Sequence, residues 1–327
     1  DVVFHIWSQI AKLPADQRTV IHSIFVDETQ DFTQAELALF VRVANDKNDM
    51  FFSGDTCQTI TSGVGFRFED LKSIFKYEAD RQAEDLAAKA QSLPAALKVR
   101  IPEVNTLTVN YRTHNGILAA AAGIVDLLEF FFPQSIDMLP REQGFFDGPK
   151  PMLLSETAVD DAAVMIVGAD RRHSQIEFGA HQVLLVRNQH AKDKLPAFFE
   201  GCLAMTILES KGLEFDDVFL WNFLTDSKAA KEWRLVFSFL IEQDSAERDR
   251  LEKMVAVQSD KSVAGMLRPL EFNEQAHQIL CSELKHLYTA ITRARVRVVI
   301  YDQDPANRAP LFYYLEKRHL CDAKSVL

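Results

Sequence analysis

Residues 23–31 read Ser-Ile-Phe-Val-Asp-Glu-Thr-Gln-Asp, and residues 50–58 read Met-Phe-Phe-Ser-Gly-Asp-Thr-Cys-Gln. In each segment a short apolar run ends in acidic residues, Asp27 and Glu28 in the first and Asp55 in the second. We interpret both runs as strands of a parallel sheet that carry these acids to its carboxyl edge. Open α/β sheets bind their ligands at that edge, so the two segments predict an α/β fold with a ligand site there.

The acidic pair has the chemistry that nucleotide hydrolysis needs. Asp27 can hold Mg²⁺ through water, and Glu28 can take a proton from an attacking water molecule or orient that water. A glutamine close by can sense the γ-phosphate of a nucleoside triphosphate. Asp-Glu dipeptides are also common on solvated surfaces, so the pair alone leaves both interpretations open.

Three further blocks follow in the chain: Leu107-Thr108-Val109-Asn110-Tyr111-Arg112, Ser210-Lys211-Gly212-Leu213-Glu214-Phe215 and Leu287-Tyr288-Thr289-Ala290-Ile291-Thr292-Arg293-Ala294-Arg295. In this order the five blocks resemble motifs II to VI of the UvrD/Rep-type superfamily 1 helicases, across roughly residues 22–301. Residues 26–37, 146–151 and 211–218 are more similar still to the helicase-like region of the large tetratricopeptide and ankyrin repeat-containing proteins.

The resemblance implies an α/β fold of two RecA-like lobes, of the P-loop NTPase type. Residues 1–104 would be the C-terminal part of the first lobe, with motifs II and III. Residues 105–327 would be the second lobe, with motifs IV, V and VI and a helical insertion over the charged residues 224–283. No Walker A segment, Gly-x-x-x-x-Gly-Lys-Ser/Thr, occurs in the 327 residues. We therefore expect an incomplete first lobe, cut from a longer polypeptide, and no ATPase activity from this chain alone.

In the first lobe, the resemblance assigns Asp27 to Mg²⁺ and Glu28, as a catalytic residue, to the attacking water. Gln30 and Gln58 would read the γ-phosphate of ATP, and Asp55 would support the site. Without the resemblance, a helix cap or turn is an equally good role for Asp55.

In the second lobe, the resemblance implies that Tyr111 stacks on or beside the adenine, with a core tyrosine as the alternative. Arg112 and Arg293 would be catalytic arginine fingers, since a guanidinium binds phosphate oxygens in a bidentate way and stays charged. For Arg293 the alternative is a salt bridge within the protein. Gly212 and Glu214 would lie close to the nucleotide ribose. The helix before Arg293 would turn three apolar residues inward: Leu284, Leu287 and Ile291.

The nucleic-acid motifs are less complete than those of the UvrD group. That group usually has Thr-x-His in motif V, whereas here Thr206 is followed at the His position by Leu208, which cannot bond a phosphate. Aromatic residues that stack on bases usually follow motif III. Phe66 and Phe68 are the candidates here, with core packing as the alternative for at least one of them. Thr206, Phe66 and Phe68 are therefore the predicted nucleic-acid residues.

Composition gives no independent support for nucleic-acid binding. The net charge of −11 and the isoelectric point of about 5.3 argue against binding through bulk positive charge. The four cysteines, at positions 57, 202, 281 and 321, are too scattered for a zinc site or a disulfide framework, which favours a reducing intracellular compartment. The apolar residues 116–132 include Asp126 and Glu129, which is typical of a buried amphipathic helix and not of a membrane span.

The sequence thus predicts the C-terminal part of an ATP-dependent nucleic-acid helicase or translocase, with ATP and Mg²⁺ as cofactors. Its substrate would be single-stranded nucleic acid, DNA in preference to RNA, with movement from 3′ to 5′ as in the UvrD group. Flanking repeat regions would add protein partners. Two alternatives remain open: a helicase-like scaffold that does not unwind, and an ATP-gated switch for protein interaction.

Overall fold

The computed structural model describes residues 2–12, 21–61, 63–138, 140–154 and 181–324. The chain divides into two compact units. Unit 1 consists of Asp1–Thr106 and Gln134–Leu139, and unit 2 consists of Leu107–Pro133 and Pro140–Leu327. The sequence placed a single boundary near residue 104 and did not anticipate that residues 134–139 belong to unit 1.

Unit 1 carries the two acid-bearing strands. Its described helices and strands are, in chain order, α1 (Val2–Lys12), β1 (Ile24–Val26), α2 (Gln34–Val43), β2 (Met50–Phe52) and α3 (Phe68–Ala88). β1 and β2 pair in parallel, with Val26 opposite Phe52, so the acids that follow them leave at the same edge. The core of the unit is formed by buried residues on and between α2 and α3: Leu37, Val41, Phe66, Leu71 and Phe75.

The ends of α2 and α3 follow from local chemistry. Thr33 Oγ1 accepts the backbone N–H of Glu36 at 3.3 Å, and Glu36 Oε2 accepts that of Thr33 at 2.8 Å. This is the capping box that the spacing Thr33-x-x-Glu36 predicts at the start of α2. The Ala-rich composition of residues 69–97 predicts one long helical stretch, but α3 ends at Ala88. Ala90 has a φ of 50°, and a left-handed residue cannot continue a right-handed helix.

Unit 2 is built around a parallel sheet. Its described strands are, in chain order, β3 (Val109–Asn110), β4 (Gln143–Gly144), β5 (Met152–Leu154), β6 (Gln182–Val186), β7 (Ala204–Thr206), β8 (Phe215–Trp221), β9 (Ala294–Tyr301) and β10 (Asp322–Lys324). Six of these described strands form one sheet in the order β10-β5-β9-β8-β6-β7, in which every neighbouring pair is parallel. The predicted α/β class is therefore confirmed, with a six-stranded parallel sheet.

Helices connect these strands. The described helices of unit 2 are α4 (Asn115–Phe131), α5 (Gln189–Asp193), α6 (Leu235–Gln243), α7 (Ala246–Val257), α8 (Lys261–Met266), α9 (Gln278–Ile291) and α10 (Pro305–Lys317). The strand β6 is buried along its last four residues, as expected where a parallel sheet has both faces covered. In the part of the chain that the structure describes, no helix has the length and apolar character to cross a membrane.

Three strands differ from the sequence prediction. The apolar run Leu107-Thr108-Val109 predicts a strand at the start of the second domain. Only the two-residue β3 forms there, and it pairs with β4 apart from the six-stranded sheet. The three-residue strands β5 and β10 were not predicted, because runs this short give no clear alternation in the sequence. α6, α7 and α8 lie within residues 224–283, where the sequence suggested a helical insertion.

Candidate functional site

The two acid-bearing segments of unit 1 meet at the carboxyl ends of β1 and β2. The parallel register places Asp27 directly beside Ser53, the residue that follows β2. Ser53 Oγ donates a hydrogen bond to Asp27 Oδ1 at 2.6 Å, and the backbone N–H of Glu28 donates to the same oxygen at 3.0 Å. Ser53 was not among the predicted site residues, although its place opposite Asp27 in a parallel pair of strands was a usable signal.

A buried glutamine holds the second acid. Gln30 is 0% exposed, and its Nε2 donates a hydrogen bond to Glu28 Oε2. Its Oε1 accepts the backbone N–H of Asp55 at 3.1 Å. Gly54 makes room for this side chain, since a Cβ at position 54 would lie 2.3 Å from Gln30 Oε1. Both ends of the amide are engaged within the protein, so Gln30 orients Glu28. Its burial does not fit the expected role of reading the γ-phosphate.

Asp55 and Gln58 form the other end of this chain of contacts. Asp55 Oδ1 accepts the backbone N–H of Cys57 at 2.9 Å and so caps the 3₁₀ helix Thr56–Gln58. Asp55 Oδ2 accepts Gln58 Nε2 at 2.9 Å. The structure therefore brings together the residues expected for the first lobe. Asp55 is a helix cap, the alternative that the sequence left open, and its N–H also supports Gln30.

Asp27 is the residue of this group that fits Mg²⁺. Its Oδ1 accepts both hydrogen bonds, so within the described residues Oδ2 stays available to water or a cation. No group of three or more His, Cys, Asp or Glu side chains could hold a metal ion in the described part of the chain. A single carboxylate is nevertheless enough for Mg²⁺, which keeps several waters and takes further oxygens from substrate phosphates.

In unit 2, residues from the last three of the five sequence blocks meet near the amino ends of β8 and β9. Arg112 Nη2 and Glu214 Oε1 form an ion pair at 2.7 Å, with both side chains partly exposed. The first residue of β8, Phe215, donates its N–H to the carbonyl of Arg293 at 2.9 Å. Gly212 has a φ of 76° and turns the chain into the segment that carries Glu214. The structure thus brings three sequence blocks to one place.

Arg293 is buried just after α9, with 2% of its surface exposed. Its Nε donates to the carbonyl of Thr289 and its Nη1 to the carbonyl of Leu213, each at 3.2 Å. The three apolar residues expected to face inward on the preceding helix are all buried: Leu284, Leu287 and Ile291. In this conformation the guanidinium supports the turn at Leu213. An arginine-finger role would require it to exchange these carbonyls for phosphate oxygens.

Tyr111 is 83% exposed, so the alternative of a core tyrosine does not hold. Its ring lies against that of Phe145, with centroids 4.7 Å apart and planes inclined by 48°. Tyr111 directly precedes Arg112, so an exposed aromatic pair stands beside a partly exposed guanidinium. Sequence reasoning missed Phe145, because an exposed phenylalanine and a core phenylalanine look alike in a single sequence.

The predicted nucleic-acid residues are largely buried. Phe66 lies in the core of unit 1, edge to face with the partly buried Phe68 at a centroid distance of 5.1 Å. Core packing, the alternative weighed for these two residues, accounts for Phe66 fully and for Phe68 in part. Thr206 is buried at the carboxyl end of β7, where its N–H and Oγ1 both bond Glu209. Glu214 precedes the amino end of β8, so the segment from Thr206 to Glu214 crosses the sheet from one edge to the other.

No model of a known protein family matches the chain. Among solved structures, it is similar to the C-terminal domain of a possible DNA helicase from Lactobacillus plantarum WCFS1. That likeness has a TM-score of 0.29 and 14% identity, and covers 65% of this chain and 98% of that one. A TM-score this low does not establish a shared fold.

The sequence comparison is much stronger. The chain is 47% identical over 320 residues to the TPR and ankyrin repeat-containing protein 1 of Homo sapiens. The matched region covers 97% of this chain and 10% of that protein. Nearly the whole chain is therefore similar to one segment, about a tenth of the length, of a long repeat protein.

Proposed function

We propose that the chain is part of an ATP-dependent nucleic-acid helicase or translocase of the UvrD/Rep type, with a RecA-like lobe contributed by each unit. The observation that carries the proposal is the network in which the fully buried Gln30 orients Glu28. Burying a glutamine side chain costs rotamer entropy and desolvation. A carboxylate with no role beyond solubility would not need such a support, because water satisfies it.

The proposed roles in unit 1 follow from these contacts. Glu28 takes a proton from the water that attacks the γ-phosphate, and the products are ADP and inorganic phosphate. Gln30 holds the Glu28 carboxylate in one orientation. Asp27, fixed by Ser53, would hold Mg²⁺ through water, and the ion would neutralise charge on the phosphates.

Unit 2 would supply the remaining contacts to the nucleotide. Tyr111 offers an exposed ring to the adenine, and Glu214 offers a carboxylate to the ribose hydroxyls. Arg112 and Arg293 would stabilise the charge that develops on the γ-phosphate during transfer. The substrate that we propose is single-stranded DNA, moved from 3′ to 5′.

An ATP-gated switch for protein interaction is the second candidate function. Phe66 and Thr206 are buried, which argues against their forming a surface that binds a nucleic-acid strand. The net charge of −11 also favours the switch over a nucleic-acid-binding protein. Similarity to a protein with TPR and ankyrin repeats is compatible with protein partners. Such a switch would bind and hydrolyse ATP through the same residues but would not separate strands.

The test is Glu28→Gln in the full-length protein, because the amide keeps the shape of the side chain but cannot take a proton. We expect ATP binding to persist while hydrolysis falls by about 10²-fold or more. Asp49→Asn is the matched control. It removes a carboxylate at the amino end of β2, where Asp49 Oδ2 accepts Ser23 Oγ at 2.5 Å, and should leave turnover unchanged.

The outcomes separate the hypotheses. Normal turnover with Glu28→Gln contradicts the proposed chemistry, and a collapse of ATP affinity with high residual turnover makes Glu28 a binding residue. Stimulation of the wild-type ATPase by single-stranded DNA, together with strand separation, supports the helicase. ATP hydrolysis with neither effect supports the switch.

A further inference from the structure

Two aromatic side chains of unit 2 are largely exposed to solvent, although the protein has a large hydrophobic core that could bury them. Tyr111 is 83% exposed and Phe145 is 66% exposed, and their ring centroids are 4.7 Å apart. Rings with this exposure contribute little to the free energy of folding. Adjacent exposed aromatic residues are more typical of binding surfaces than of the ordinary protein surface. We call Tyr111 and Phe145 the aromatic platform.

The backbone on both sides of Phe145 is fixed by one residue, Asn115. The N–H of Gly144 donates to Asn115 Oδ1 at 2.8 Å, and the N–H of Asn115 donates to the carbonyl of Phe146 at 3.1 Å. Gly144 also pairs with Asn110 in the short parallel pair of β3 and β4. Phe145 therefore has an exposed ring on a backbone that is held at both neighbours.

The rest of this loop is pressed onto the start of α4. Asn115 Nδ2 donates to Asp147 Oδ1 at 2.8 Å. A Cβ on Gly116 would lie 2.5 Å from the carbonyl oxygens of both Gly148 and Pro149, so only glycine permits this approach. The loop thus has little freedom to move Phe145 away from Tyr111. Holding the backbone that carries an exposed ring lowers the entropy cost of binding a flat ligand.

We propose that the aromatic platform binds the purine base of a nucleotide, with Phe145 as a base-contacting residue beside Tyr111. The inference rests on the proposed function, which already assigns the adenine to Tyr111, and adds to it a second ring, that of Phe145. Bases stack on aromatic side chains through their π-faces. Arg112 lies next to Tyr111 in the chain and can attract phosphate, while its ion-pair partner Glu214 can accept hydrogen bonds from ribose hydroxyls.

The surroundings favour a free nucleotide over the bases of a nucleic-acid strand. Arg112 is paired with the carboxylate of Glu214, so this neighbour of the platform offers little net positive charge to the continuous phosphate backbone of a polynucleotide. The net charge of the chain, −11, acts in the same direction. A platform that offers ring faces responds to the area of the base, so purines should bind more tightly than pyrimidines.

The experiment compares four variants in the full-length protein by calorimetric titration with Mg²⁺-ADP and with Mg²⁺-CDP. We expect Phe145→Ala to raise the Kd for ADP about tenfold and to narrow the difference between ADP and CDP. Phe145→Trp should keep the wild-type affinity, whereas Phe145→Leu, which is apolar but not aromatic, should behave like Phe145→Ala. Phe146→Ala is the matched control, because Phe146 is in the same loop and equally exposed, but its ring packs against His114.

Steady-state ATP hydrolysis adds an independent readout. Phe145→Ala should raise KM while leaving kcat within about twofold, since base stacking is equally strong in the ground and transition states. If Phe145→Ala binds ADP with the wild-type Kd, Phe145 does not contact the base and the proposal is wrong. The same holds if Phe145→Leu keeps the full wild-type affinity for ADP. A third outcome also contradicts the proposal: the wild-type protein hydrolyses ATP, and Phe145→Ala loses binding of single-stranded DNA while it keeps its affinity for ADP. The two rings would then bind the nucleic-acid strand and not the nucleotide.

The failure of this inference is distinguishable from failure of the proposed function. If turnover depends on Glu28 but ADP affinity does not depend on Phe145, only the aromatic platform is refuted. If the wild-type protein binds no purine nucleotide, both are refuted.

Discussion

A buried ion pair in unit 2 offers a direct test of how α9, the helix that leads to Arg293, is held in place. Arg187 follows β6 and binds Glu283 of α9 in a bidentate way, with Nε–Oε2 at 2.8 Å and Nη2–Oε1 at 2.5 Å. The side chains are 10% and 1% exposed. Glu283 Oε2 also accepts Ser227 Oγ at 2.9 Å, and Ser227 in turn accepts the indole N–H of Trp233 at 3.0 Å.

The expected effect of Glu283→Ala is large, because it leaves the Arg187 guanidinium buried without this partner. Removing one member of a buried ion pair typically costs about 3–5 kcal/mol. For a unit of this size, each kcal/mol lowers the melting temperature by roughly 2–4 °C, so the variant should melt about 6–20 °C lower. The combined variant Arg187→Met with Glu283→Leu should recover most of this loss, since apolar residues of similar volume replace a buried pair at little net cost.

The assay is urea unfolding followed by tryptophan fluorescence. Trp7→Phe in every variant removes the tryptophan of unit 1, so that the signal comes from Trp221 and Trp233 in unit 2. A loss of less than about 1 kcal/mol in Glu283→Ala, the range of a solvent-exposed pair, would show that the pair does not behave as a buried one. A combined variant no more stable than Glu283→Ala would show the same.

Two further predictions concern the same helix and its end. Arg293→Ala should lower ATP turnover of the full-length protein by at least about 10³-fold. It should also cost roughly 1–3 kcal/mol of stability, since the carbonyls of Thr289 and Leu213 each lose a hydrogen bond from a charged donor. A lower melting temperature with unchanged turnover would rule out the finger role. Burial, and then the charge of Arg187, lower the pKa of His286 from 6.5 to about 4. The unfolded chain therefore takes up a proton near pH 6.5 and the folded protein only near pH 4, so stability should fall as the pH drops between these values, by at most about 1.4 kcal/mol per pH unit. His286→Gln should flatten that part of the curve in urea titrations at stepped pH, and an equal slope in both proteins would contradict the assignment.

The sequence was most informative where structure depends on neighbours along the chain. The capping box at Thr33 and Glu36, the strands β1 and β2 and the inward face of α9 all follow from patterns within about ten residues. The pairing of β3 with β4 and the strands β5 and β10 depend on contacts between distant segments. Two or three residues of strand carry too little periodicity to predict such contacts from composition or alternation.

The same distinction between local patterns and distant contacts applies to the residues of the candidate site. Asp27, Glu28 and Asp55 were predictable because each follows an apolar run at the end of a strand. The burial of Gln30 was not, because it depends on Gly54 leaving room for the side chain from another strand. The exposed position of Phe145 was likewise hidden, since it is set by the hydrogen bonds of a distant residue, Asn115.

The two proposed arginine fingers differ in the free energy needed to release each guanidinium from its contacts within the protein, and therefore in how easily each can bind a phosphate. Arg112 is held by a partly exposed ion pair with Glu214, and such pairs contribute about 0–1 kcal/mol. Freeing Arg293 would break its hydrogen bonds to the carbonyls of Thr289 and Leu213, and hydrogen bonds to a charged group contribute about 1.5–3 kcal/mol each. Arg112 can therefore turn from Glu214 to a phosphate at almost no cost, while Arg293 needs the turn at Leu213 to rearrange with it. In an ATP-hydrolysing protein that difference would make Arg112 the first contact and Arg293 the one that couples phosphate binding to a change in the turn at Leu213.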